Sequence, residues 1–206
     1  VPFASDIVVV DSFSQDRTRE IAEGFGARVV SEKWRGFSEQ KKFATSLAKN
    51  RWVLSLDADE ALSTDSQIEI LAKINQGLNQ GEIQLPVDGY RMPRISYHLG
   101  RWIKHGGWYP DYQLRFFNRE RAQWRAGHLH ERVDADQVET LNSDILHWPF
   151  DGVADQVQTN NRYSDLGAQD LFDAGKRFSL LKLIFKPISK FIETFLIKRG
   201  FLDGLP

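Results

Sequence analysis

The chain has 206 residues, of which 27 are Lys or Arg and 28 are Asp or Glu, for a formal net charge of −1. That length buries the core of one domain with room for an appendage, and the near cancellation of charge leaves no global field to draw nucleic acid. The absence of cysteine excludes disulfides and thiolate metal sites, and fits a reducing compartment.

Asp6-Ile7-Val8-Val9-Val10-Asp11 is a continuous β-branched run, the pattern of a strand covered on both faces in a parallel sheet. A polar turn follows. Residues 18–25 then read as a short helix stopped by Gly24 and Gly26, and Ala27-Arg28-Val29-Val30 as the next strand. The sequence predicts a right-handed βαβ unit here. A second helix over 38–48 places Phe43, Ala44 and Leu47 inward and its lysines outward. It leads to a strand over 52–56, which runs into Asp57-Ala58-Asp59. Ser63 or Thr64 caps a third helix reaching about Gly77. Repeated α/β alternation predicts a doubly wound sheet. In such sheets ligands sit outside the carboxyl ends of the strands, where Asp11 and Asp57 both fall.

Beyond a linker-like stretch over 77–87, short strands are expected over 90–97, 114–118 and 131–133. Trp102, Trp108 and Tyr109 crowd a Gly-rich loop between the first two. Such rings suit the flat apolar face of a sugar, although a loop pinned to the core by its aromatics has the same composition. From Asp151 the chain turns helical, and residues 176–199 are distinct. A broad apolar stripe that includes Leu181, Ile184, Phe185, Ile188 and Phe191 is edged by Lys182, Lys186 and Lys190. Pro187 is expected to kink or divide this helix. It reads as a segment lying in a membrane interface; the competing reading is a helix packed on the domain with a solvated basic face. There is no signal-peptide pattern and no apolar run long enough to span a bilayer.

Two carboxylates at i and i+2 at the exposed end of a strand suit a hard cation, Mg²⁺ or Mn²⁺, which brings phosphate oxygens with it. Rival readings fare worse. A calcium loop starting at Asp57 needs Gly at Leu62 and Glu at Ile68, and has neither. A phosphatase built on an aspartyl phosphate would show Thr or Val where Ala61 stands. A solvated helix start, with Asp and Glu favouring the macrodipole, is the plain structural alternative. His128, His130 and His147 with a carboxylate make only a weak zinc pattern, lacking cysteines and a His-Glu-x-x-His helix.

Several motifs occur in order: Val8-Val9-Val10-Asp11-Ser12-Phe13-Ser14-Gln15-Asp16, Gly36-Phe37-Ser38-Glu39-Gln40-Lys41, and Leu56-Asp57-Ala58-Asp59-Glu60. Tyr112-Gln113-Leu114-Arg115-Phe116-Phe117, Gly127-His128-Leu129-His130-Glu131, His147 and Gly200-Phe201-Leu202-Asp203-Gly204 follow. Together they resemble the inverting family-2 glycosyltransferases of GT-A fold, within them the subgroup that builds the lipopolysaccharide core. Where the family usually has Gly in the first Asp motif, this chain has Phe13. The strand that relatives place upstream of Val1 is expected to be missing, which bears on the competence of this piece.

The resemblance implies a GT-A-like mixed sheet over residues 1–150, followed by a helical, membrane-interface segment over 151–206. It implies that Asp11 accepts from the uracil N–H of a nucleotide-sugar, with Lys41, Asp57 and Arg115 also on the donor; a solvated Lys41 on a basic helix face and an Arg115 salt bridge within the fold are the plain alternatives. The divalent ion falls to Asp57 and Asp59 (the Asp-x-Asp motif), with His147 as a further candidate ligand. Glu131 is the expected base that takes the acceptor hydroxyl's proton. In a strand, His128 and His130 face away from Glu131, so either the base or the histidine pair is structural. Asp16 is read as a turn or helix cap. The function implied is hexose transfer from a uridine-linked donor to a lipopolysaccharide-core or other envelope glycan acceptor, with inversion. Localisation is then cytoplasmic, on the inner face of the cytoplasmic membrane. A sugar nucleotidyltransferase and a non-catalytic membrane-associated binding module are the alternatives; the former wants a Gly-rich basic loop on the first strand, absent here.

Overall fold

A computed structural model of the chain describes residues 3–125 and 132–204. The elements begin with β1 (Val8–Asp11), α1 (Thr18–Gly24), β2 (Arg28–Ser31), α2 (Phe37–Ser46), β3 (Trp52–Leu54), β4 (Glu60–Leu62) and α3 (Thr64–Gly77). Next come the small hairpin β5 (Leu78–Asn79) and β6 (Glu82–Ile83), then β7 (Gly89–His98), β8 (Arg101–Ile103), β9 (Asp111–Asn118), β10 (Gln123–Arg125), β11 (Arg132–Asp134), β12 (Val138–Thr140) and β13 (Ile145–His147). Helices α4 (Val153–Asp173) and α5 (Leu180–Phe191) close the series. A π-helical segment, Ile192–Ile197, and a 3₁₀ turn, Gly200–Asp203, follow. The chain is α/β, with parallel and antiparallel strand pairs. It divides into two units, Val1–Leu56 with Thr64–Arg91 and Leu114–Leu141, and Asp57–Ser63 with Met92–Gln113 and Asn142–Pro206.

In the first unit the expected βαβ start is present: β1 and β2 are parallel, with Val9 opposite Val29. Asp6, ahead of β1, accepts from Arg28 Nε at 2.9 Å and from the Lys49 backbone N–H at 3.0 Å. The hydrogen bond from Arg28 is the main reason its carboxyl is lowered to about 2; burial opposes, and Lys49 adds to the lowering. Because the folded pKa is depressed, this stability is fully present above the ordinary value of 3.8 and is lost as pH falls through about 2. Asp6→Asn is expected to lower Tm at neutral pH by roughly 2–4 °C. The difference from wild type should vanish in melts repeated towards pH 2.

Helix α2 starts after Gly36, whose φ of +88° is the conformation glycine adopts freely. Its motif residues Ser38 and Gln40 are buried and satisfied: Ser38 Oγ donates to the Arg125 carbonyl at 2.7 Å, Gln40 Nε2 to Ser12 Oγ at 3.2 Å. Trp52, Tyr90 and Phe116 pack with ring centroids 4.9–6.1 Å apart, and Phe117 meets Trp124 edge-on over Ala122 and Val133. The strand expected over 52–56 is shorter, Trp52–Leu54, paired antiparallel with Phe116–Asn118 of β9. The strand expected over 131–133 is β11, paired with β10.

In the second unit β13 lies between β7, its parallel partner, and β4, its antiparallel partner. The third helix, expected from a cap at Ser63 or Thr64, is α3, Thr64–Gly77; the solvated helix start at the Asp pair, the plain alternative, is not what forms. The chain first forms β4, because Glu60–Leu62 finds its ladder partner in Ile145–His147, far along the sequence. The aromatic loop over 101–110 likewise contains a strand, β8, hairpinned on β7. Helix α5 runs through Pro187 undivided and passes into the π-helical turns. Proline cannot donate the bond an interior position requires, and the widened turns begin five residues later. The turn around Asp203 is tied down. Asp203 accepts from the Lys104 and His105 backbone N–H groups and from His105 Nδ1, at 2.8–3.1 Å. Burial pushes the Asp203 carboxyl up, but these bonds outweigh it and hold the group low. Gly200 is required here, since a Cβ would sit 2.8 Å from the Thr194 carbonyl.

Candidate active site

Asp57 belongs to the second unit; Ala58 and Asp59 form a turn ahead of β4. The β-sheet register around them decides what they meet. His147 of β13 stands opposite Glu60 on one side and Ser96 of β7 on the other. Directly opposed residues share a sheet face, so these three, and Arg94 two residues before Ser96, form one polar patch beside the turn. His147 Nε2 is 3.3 Å from Asp59 Oδ2, and its Nδ1 shares a 3.0 Å hydrogen bond with Ser96 Oγ. The Trp148 N–H donates to the Asp59 carbonyl at 2.9 Å. Imidazole and backbone thus fix Asp59, while its side chain stays 47% exposed. Burial pushes the Asp59 carboxyl up, but the hydrogen bond and charge of His147 outweigh it and hold the group below the usual carboxylate range, against the repulsion of Asp57.

Glu60 does a different job. Its side chain is fully buried; Oε2 accepts from the Asp57 backbone N–H at 3.1 Å and Oε1 from Arg94 Nη1 at 2.7 Å. Arg94 continues through Nη2 and Nε to Asp111 Oδ2, at 2.6 and 3.0 Å. One guanidinium therefore joins the carboxylate that holds the Asp57 turn to the first residue of β9. Next to it is a groove of about 340 Å³, whose lining includes Ser96, Trp108, Asp111, His147, Pro149 and Phe150.

Of the sequence-derived residues, Asp57, Asp59 and His147 come together in the second unit. Asp11, Lys41 and Arg115 belong to the first. Asp11 is 4% exposed at the end of β1 and accepts the Ser14 N–H at 3.1 Å. Phe13, within that turn, keeps a φ of +64°, the left-handed form that the usual glycine would adopt without strain. Lys41 Nζ lies 5.4 Å from the centre of the Trp124 ring. Arg115 is 3% exposed. Glu131, with His128 and His130, lies outside the described residues. Sequence reading does not single out Glu60, Ser96, Arg94 or Asp111 as a network. The one available signal was an arginine and a serine alternating on a strand whose neighbours, Met92 and Ile95, are core residues.

A family model described as glycosyl transferase family 2 matches residues 4–138. The chain belongs to glycosyl transferase family 2. It is 33% identical to an uncharacterized glycosyltransferase of Rickettsia bellii over 98% of this chain and 70% of that protein. A counterpart in Rickettsia conorii is 32% identical, over 97% of this chain and 73% of that protein. The lipopolysaccharide core biosynthesis glycosyltransferase LpsC of Rhizobium meliloti is 27% identical, over 93% and 71%. The family-2 chain is accordingly a glycosyltransferase. Membership implies the GT-A fold, with which its α/β elements and mixed strand directions agree.

Proposed function

We propose that this family-2 enzyme transfers a hexose, with inversion, from a uridine diphospho-sugar to a lipopolysaccharide-core or related envelope glycan, assisted by Mg²⁺ or Mn²⁺. The observation that carries the metal part is the Asp57–Asp59 turn. A half-exposed carboxylate, kept ionised by His147 and aimed by two fixed contacts, stands two residues from another. Among the described residues no group of three or more His, Asp or Glu is placed to hold a metal ion by itself, so the protein's share of the shell is the carboxylate pair Asp57 and Asp59. That donor set suits Mg²⁺ or Mn²⁺, which takes one or two carboxylates and completes its shell with water and substrate phosphates. When bound, the ion offsets charge on the departing diphosphate. His147 holds Asp59 through Nε2 and reaches an ion only by giving up that bond; its first role is to orient the carboxylate. Asp11 is assigned to the uracil ring, Lys41 and Arg115 to the donor phosphates, and Glu131 to the acceptor proton. LpsC's printed role in core biosynthesis supports the acceptor class.

Calorimetry of UDP with and without Mn²⁺ tests the donor reading. Binding that needs the ion supports it; equal binding in EDTA overturns it.

We also propose that α5 and the π-helical segment lie on the anionic inner face of the cytoplasmic membrane. Leu181, Ile184, Phe185, Ile188 and Phe191 are each at least 50% exposed along one stripe. Lys182, Lys186 and Lys190 recur every four residues along its edge. Among the described residues no helix is long and apolar enough to cross a membrane. The chain is expected to sediment with vesicles containing phosphatidylglycerol, and reversal of the three lysines to Glu is expected to leave it in the supernatant. Equal sedimentation of both proteins would discard this contact.

A further inference from the structure

We propose that the groove between Trp108 and Asp111 is the subsite for one pyranose ring of the acceptor glycan. The proposal rests on the glycosyltransferase reading above and names the substrate part that the second unit takes. Four observations converge on it. First, the groove's size, about 340 Å³, is at the small end of the roughly 300–1,000 Å³ of small-molecule pockets, which suits a single sugar unit rather than an extended chain. Second, its walls are of two kinds. Trp108 and Phe150 supply apolar surface, and both are braced by His98, which stacks on Trp108 at 5.5 Å and meets Phe150 edge-on at 5.8 Å. Asp111 supplies a carboxylate that is 42% exposed.

Third, that carboxylate is oriented but not exhausted. Oδ2 takes both Arg94 donors, whereas Oδ1 takes the single Gln113 Nε2 bond at 2.8 Å. A carboxylate oxygen accepts about two hydrogen bonds, so Oδ1 keeps capacity for a sugar hydroxyl. Rigid aromatic surface beside a fixed acceptor matches a pyranose, with its C–H face on one side and its hydroxyl rim on the other. Fourth, the groove adjoins the chemistry. His147 belongs to its lining and is also the residue that holds Asp59. A sugar seated there lies next to the carboxylate assigned to the donor's diphosphate, as an acceptor must. His147 itself offers the sugar only its ring surface, because both its nitrogens are engaged by Asp59 and Ser96.

Saturation-transfer NMR on the full chain, with methyl α-glucopyranoside and methyl α-mannopyranoside as probes, tests the assignment. Each probe is measured alone and with saturating UDP and Mn²⁺, on wild type, Trp108→Leu and Asp111→Asn. The expected result is transfer to at least one probe in wild type, undiminished by UDP and Mn²⁺. About tenfold weaker binding is expected in both variants. Two variants of different chemistry guard against one that fails to fold, and UDP binding in the same tubes reports whether each is intact. Absence of transfer to either probe in wild type, or equal transfer in folded variants, overturns the subsite. Displacement of the probe by UDP and Mn²⁺ overturns it as well, by placing the groove on the donor side. Loss of UDP binding in wild type would instead strike the donor reading, so the two failures are distinguishable.

Discussion

Asp59→Ala is expected to weaken Mn²⁺-dependent UDP binding by at least about 100-fold, the upper end of what loss of an outer-shell partner does to a metal site. The expectation follows from how the side chain is held. His147 and the Trp148 N–H fix Asp59 on both its carboxylate and its carbonyl, and the carboxyl pKa is depressed. The group is therefore an anion throughout the neutral range and needs no reorganisation to meet a cation. His147→Gln removes one of those two supports and leaves the carboxylate, so a smaller loss, about 10-fold, is expected. The pH dependence has a definite sign. With its pKa lowered, Asp59 stays charged as the medium turns mildly acidic, and ion-dependent binding should fall only as pH drops through the depressed value. Calorimetry of wild type and both variants between pH 5 and 8 checks the two losses and the flat wild-type profile that a depressed Asp59 pKa requires. Unchanged UDP affinity in Asp59→Ala would remove that residue from the donor site.

Part of the candidate site is legible in the sequence itself. Asp57-Ala58-Asp59 follows an apolar, β-prone run, and charge alone puts such a pair at the strand's exposed end. The order of motifs then pointed to family 2, which the family match over residues 4–138 bears out. The start of the first unit was also readable, since β1, α1 and β2 are set by local composition. What escaped has a common physical cause. Strand β4 exists because of β13, and Glu60 is joined to Arg94 across 34 residues. No periodicity within a window of ten residues encodes such a pairing. Glu60 sits directly after the Asp pair and locally favours a helix start, yet its side chain is fully buried against Arg94. The tail shows the converse limit. Pro187 is expected from its own chemistry to kink or divide the helix; the division does not occur, since α5 continues through it and passes into wider turns further on.

Arg94→Ala is expected to be the most destabilising single change in the second unit. Glu60 has no exposed side-chain surface, and Arg94 is 19% exposed. Removing one partner of a buried ion pair leaves the other charge stranded, which costs about 3–5 kcal/mol. The lower end applies here, because Arg94 keeps some solvent and Asp111, at 42% exposed, can be rehydrated. About 3 kcal/mol corresponds to a Tm lower by roughly 6–12 °C for a chain of this size. The paired replacement Arg94→Met with Glu60→Gln should recover part of that loss, because no charge remains buried. It should not recover function to the same extent. Glu60 Oε2 holds the Asp57 N–H and Arg94 orients Asp111, so the double variant keeps the fold while loosening both ends of the network. Thermal melts against UDP and sugar binding separate the two effects. If Arg94→Ala melts within 1–2 °C of wild type, the ion pair is not a structural element; if the double variant binds both ligands as wild type does, the guanidinium has no part in aligning the site.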